Sequence, residues 1–278
     1  MRIGAIDPQH SQITEGSIWR PLMAFFFPIW LGTFFQQFYN TADAMIVGNL
    51  VGTTALAAVG STGTIISLLV GFFTGLASGA SVVISQYFGG GDRESVSRGV
   101  HTSMLLSAAG GVAFMVLGIA LTPFSLRIMN TPREVLADAT VYMRVYYLGM
   151  IPLMLYNMGT SVLRAIGDSR RPVYFLIISA IANILLDLVL VGPMGVAGAA
   201  LATVLSEVLA CALVLLCLVH AHGDPWQLCR DRLHISRPQL RAILHLGLPA
   251  GLQSVLYTIS NLFIQASING FGTNTVAA

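Results

Sequence analysis

The chain reads as an all-α, polytopic membrane protein. Three observations predict this fold class. Only 9% of its 278 residues are charged against 55% hydrophobic, whereas a soluble domain carries about 25% charged residues. Too few polar side chains remain to cover a water-facing surface, so lipid is the main solvent. Apolar runs long enough to cross a bilayer recur along the chain, about 20 residues each. The arginines concentrate in alternate connections between those runs, the bias that orients membrane helices.

Taken in order, the runs predict six full spans and the start of a seventh: 21–48, 56–88, 97–121, 134–163, 172–192 and 196–220, then 239 onward. Residues 1–20 are polar, without the short apolar core of a signal peptide, and read as a lead-in on the cytoplasmic side. The second and fourth spans exceed the minimum length, so they tilt or project. The segments "GGGDRESVSR", "RAIGDSRRP" and "HGDPWQLCRDRLHISRPQLR" hold Arg93, Arg98, Arg164, Arg170, Arg171, Arg230, Arg232, Arg237 and Arg241. The opposite connections hold only Arg127 and Arg133. This asymmetry predicts a multi-pass protein of the cytoplasmic membrane with a cytoplasmic N-terminus.

Several function classes are excluded by composition. The net charge is +2, too small to suggest a nucleic-acid partner. Cys211, Cys217 and Cys229 form no CxxC pair, so neither a disulfide nor a metal site is expected. No HExxH, GxSxG or aspartate-rich metal motif appears, which argues against an enzyme, and no GxxxxGK[ST] loop is present to bind ATP. No cofactor is expected. In "GFFTGLASGAS", Gly71, Gly75 and Gly79 share a helical face. Small residues at that spacing let membrane helices approach closely.

The end of the chain repeats its beginning. "FPIWLGTFFQQFYNTADAMIVGNLVGTTALAA" from Phe27 aligns with "LPAGLQSVLYTISNLFIQASINGFGTNTVAA" from Leu248, matching Pro28 to Pro249, Leu31 to Leu252, Asn40 to Asn261 and Asn49 to Asn269. Duplicated halves are a mark of secondary transporters. Six spans separate the copies, so both start on the same side, as in a parallel repeat. The expected organisation is a lead-in at 1–20, a six-helix lobe at 21–221, a cytoplasmic linker at 222–238, and at 239–278 the first helix of an incomplete second lobe.

The motifs "QQFYNTADAMIVGNLVGTTALAAVG", "GLASGASVVISQYFGGGD", "LRAIGDSRRP", "NILLDLVLV" and "GVAGAALATVLS" occur in this order. Together they resemble the multidrug and toxic compound extrusion (MATE) family of antiporters, most closely its bacterial DinF-like branch. The resemblance covers about residues 20–278. It implies a lobe of a two-lobed transporter exporting amphipathic, often cationic, small molecules in exchange for sodium ions or protons. The missing second lobe would be the partner that completes the cleft. Two other readings stand beside this one. A lipid-linked oligosaccharide flippase of related fold would call for several arginines in the spans, and only Arg144 lies there, near enough to an end to snorkel. A fragment without transport activity is the other.

Polar residues inside the spans are the candidate site. Asp43 and Asp187 each lie five residues before a glycine (Gly48, Gly192) at the end of an outward-running span, which puts them at similar depth. A membrane carboxylate is costly and usually faces a cavity or a partner. Asn183 sits one turn from Asp187 on the same face, while Asn157 and Thr203 add neutral oxygens from the fourth and sixth spans. Such a set suits sodium, a hard cation, or a proton on the carboxylates. The family resemblance implies the coupling-ion site at Asp43, Asn157, Asn183, Asp187 and Thr203. Glu207, one turn from Thr203, is an extra carboxylate and a candidate second proton site. Gln36 and Asn40, one to two turns before Asp43, are candidates to line the cleft. The resemblance to alternating-access transporters implies bending of the first span near Pro28 or its glycines.

Overall fold

The computed structural model describes residues 19–128 and 131–270. Eight α-helices follow one another: α1 (Trp19–Leu50), α2 (Thr53–Gly89), α3 (Arg93–Ile128), α4 (Arg133–Leu148), α5 (Met150–Ala165), α6 (Arg170–Met194), α7 (Val196–Val219) and α8 (Arg237–Gly270). A single 3-10 turn, Arg230–Arg232, interrupts the α7–α8 connection. Most of the polar lead-in and the last eight residues of the repeat lie outside the described residues.

The expected fourth span, 134–163, is two helices, because the chain breaks at Gly149. Pro152 explains the break: it has no N–H to return to the carbonyl of Leu148, and its ring crowds that carbonyl. The chain tightens instead, and Gly149 N–H donates to Tyr146 O at 2.9 Å. Among the described residues, five stretches are long and apolar enough to cross a membrane, namely Ala58–Gly89, Arg93–Ile128, Arg170–Met194, Val196–Val219 and Arg237–Asn261. By this measure α1 falls short of the expected seven, and its stretch from Gln36 to Asp43 supplies the polarity. The α4–α5 pair falls short because each piece has only 16 residues.

The bundle is arranged for a lipid solvent. Large apolar side chains point outward, as with Phe34 and Phe38 on α1 and Leu185 and Val189 on α6, whereas His101, Asn183 and Asp187 are fully buried. Met150, Met154 and Met158 recur every four residues on the buried face of α5, which packs against α2, α3 and α7. Lipid tails are as apolar as the core, so close packing, rather than expulsion of water, holds such helices together.

The α2–α8 pair is the most extensive contact in the bundle. The helices cross antiparallel, with Gly71 opposite Ser254, Gly75 opposite Gly251 and Gly79 opposite Gly247. A Cβ on Gly75 would stand 2.4 Å from Gly251 N, and one on Gly79 would stand 2.4 Å from Gly247 Cα. The two backbones touch, as the four-residue spacing of small residues predicts.

The α7–α8 connection is a strap held on the start of α3. The Arg93 guanidinium donates to Gly223 O at 2.6 Å. His101 Nδ1 lies 2.7 Å from Ser97 O, and its Nε2 lies 3.0 Å from Cys229 N. Nε2 also lies 3.1 Å from Cys229 O, and the tautomer with Nδ1–H donating and Nε2 accepting satisfies the two shorter contacts. Ser236 N–H donates to Thr102 Oγ1 at 3.0 Å, and the Trp226 ring meets Phe88 edge-on at 5.7 Å.

Two consequences are measurable. Gly79→Ala or Gly75→Ala forces backbone against backbone at the seam and should destabilise the chain by about 1–3 kcal/mol, the range for overpacking. Gly63→Ala, where a Cβ meets nothing within 4 Å, should be neutral or stabilising, since alanine favours the helix. Thermal unfolding in detergent checks both, and equal effects at Gly63 and Gly79 would contradict a backbone contact. At the start of α3, Asp92 Oδ1 accepts from Ser95 N–H at 3.0 Å. That backbone hydrogen bond holds the Asp92 carboxyl below its ordinary value. The cap is therefore complete above the ordinary aspartate range and is lost as pH falls through the depressed value. Asp92→Ala should speed amide exchange at residues 95–97 at neutral pH, whereas the native chain shows that loosening only in strong acid.

Candidate functional site

Helices α1 and α6 run in the same direction, side by side. Gly32 lies opposite Val173 and Leu176, and eleven residues on from Gly32 and Leu176, Asp43 meets Asp187. Each carboxylate lies seven residues before the end of its helix, Leu50 or Met194. The helices therefore run two residues beyond the glycines that marked their expected ends, and the matched depth is kept.

The tight α6–α7 connection supplies the other wall. Gly195 takes φ +59°, open to glycine at little cost. Gly198 packs so closely on α6 that a Cβ there would stand 2.2 Å from Leu190 O. Folding back at Gly195 puts Asp187 and Thr203 eight residues from the turn on either side, and Asn183 and Glu207 twelve. By residue count the hairpin sets Asp187 and Thr203 at one level along the two helices, and Asn183 and Glu207 about one helical turn further from Gly195.

Burial at this site is extreme. Asn183 and Asp187 are both 0% exposed. Both carboxylate oxygens of Asp187, both amide atoms of Asn183 and Oδ1 of Asp43 are buried without a hydrogen-bond partner. Buried polar groups are almost always paired, so five orphaned atoms on three neighbouring side chains mark a place built to receive something polar. The Thr203 hydroxyl donates to Ala199 O at 3.0 Å, which leaves its oxygen lone pairs free to accept.

Three tyrosines close the site. Tyr39, one turn before Asp43, and Tyr142 on α4 lie within electrostatic reach of Asp43, Asp187 and Glu207, and Tyr146 lies within reach of Glu207. The Tyr142 and Tyr146 rings stack at 6.1 Å. Sequence reasoning gave no role to Tyr39 or to the α4 pair. The readable signal was two tyrosines four residues apart in a membrane-embedded segment. Glu207 presses on the helix break: its Oε2 is 3.2 Å from where a Cβ on Gly149 would stand.

Of the expected residues, the structure brings together Asp43, Asn183 and Asp187 and places Thr203 and Glu207 across the hairpin. Asn157 is not drawn in by any hydrogen bond, and its amide donates to Leu153 O of its own helix at 2.9 Å. Gln36 and Asn40 are exposed, and the Asn40 amide points to Gln37. Among the described residues no group of three or more His, Cys, Asp or Glu side chains converges as a metal site. The donors around Asp187 are oxygens, the ligand type preferred by a hard monovalent cation.

The MatE family profile matches residues 28–189. The chain is 33% identical over 274 residues to the probable multidrug resistance protein YoeA of Bacillus subtilis (strain 168), covering 95% of this chain and 59% of the relative. It is 26% identical over 278 residues to the multidrug export protein MepA of Staphylococcus aureus, covering 98% and 60%. A crystal structure of MATE in the straight conformation superposes with a TM-score of 0.86 at 28% identity, covering 96% of this chain and 60% of that one. The chain thus spans about three fifths of the length of these relatives. With the profile covering more than half of its residues, the chain belongs to the MatE family of transporters.

Proposed function

We propose that this chain forms the ion-coupling lobe of an antiporter that exports amphipathic, often cationic, small molecules in exchange for sodium ions or protons. The observation that carries the reading is the set of buried, unpartnered polar atoms on Asp43, Asn183 and Asp187. Two carboxylates facing each other in a low-dielectric interior repel. A cation between them, or a proton on one, cancels that repulsion, and its departure restores it. The coupling ion is thus tied to the α1–α6 contact, and through it to the position of α1. Thr203 and Asn183 contribute neutral oxygens to the same ion, and Glu207 serves as a second proton carrier beside the Gly149 break. The opposite wall of the cleft belongs to a second lobe that continues from α8, and Gln36 and Asn40 look into that cleft.

Asp187→Asn tests the proposal. It keeps the shape and removes a charge that has no partner, so the melting temperature in detergent should stay within a few degrees of native or rise. In the transporter carrying both lobes, efflux of a lipophilic cation from proteoliposomes under an imposed sodium or proton gradient should fall at least about tenfold. That corresponds to about 1.4 kcal/mol of lost coupling. In nanodiscs, the infrared carboxyl bands of this chain should respond to sodium or to pH, and the variant should lose that response. Native-like gradient-driven efflux in a well-folded Asp187→Asn protein would remove the coupling site from this lobe.

A further inference from the structure

No further inference is drawn: the strongest candidate, the cleft of about 640 Å³ between the first turns of α3 and the α7–α8 strap, carries nothing, because Arg93 and Arg98 at its rim are already engaged by Gly223 O and Glu94, Asp224 makes its charge mixed, and nothing in the structure selects an occupant for it.

Discussion

Asp187 is the constraint around which the lobe is organised. It is fully buried, and neither of its oxygens has a hydrogen bond. A carboxylate at membrane depth costs about 2.5–3.5 kcal/mol on insertion scales, and nothing in the described structure recovers that cost. The surroundings instead hold the carboxylate in place. The Gly195 turn and the close approach at Gly198 fix α7 against α6, the parallel run of α1 sets Asp43 opposite, and Asn183 leaves a second unpaired group one turn away. Packing that would be wasteful in a purely structural lobe becomes intelligible if a small cation or a proton visits the site.

The opposite economy governs the α2–α8 seam and the strap. There the contacts are made: the strap is tied by hydrogen bonds to α3, and glycines make the closest backbone approaches at the seam. Backbone contact at Gly75 and Gly79 anchors the middle of α8, while the Arg93, His101 and Thr102 contacts anchor the chain that leads into it. Helix α8 is therefore clasped by the rest of the bundle at two places. These tied contacts contrast with the unpartnered polar atoms on α1 and α6.

Much of this was legible in the sequence, for definite reasons. Apolar runs have few alternatives in lipid, so the helices fell where the runs lay, to within a few residues at most ends. Gly71, Gly75 and Gly79 announced a close approach, although not its partner, because helical spacing describes a face and not what meets it. Asp43, Asn183 and Asp187 stood out because ionisable groups in apolar runs are rare. The break at Gly149 was readable from Pro152, but the hydrophobic run over 134–163 masked it. The strap was beyond reach: His101 and Cys229 are 128 residues apart, and neither belongs to a motif. The tyrosines around the carboxylates come from α1 and α4, and only the fold brings those helices to one site.

The repeat sharpens the reading of the site. Helices α1 and α8 share the proline (Pro28, Pro249) and the asparagine (Asn40, Asn261), yet α1 packs on α6 and α8 on α2. Three residues past the shared asparagine, α1 has Asp43 and α8 has Ile264, which is exposed. The duplicated scaffold thus carries its carboxylate in one copy alone, and the whole of α8 is without acid. What the copies share is a long helix with a proline in its first half, eight residues on from Arg20 in α1 and twelve on from Arg237 in α8. What separates them is charge. A chain that kept a buried carboxylate only as packing would have no reason to confine it to the helix facing a second one, and Asp187 supplies that reason.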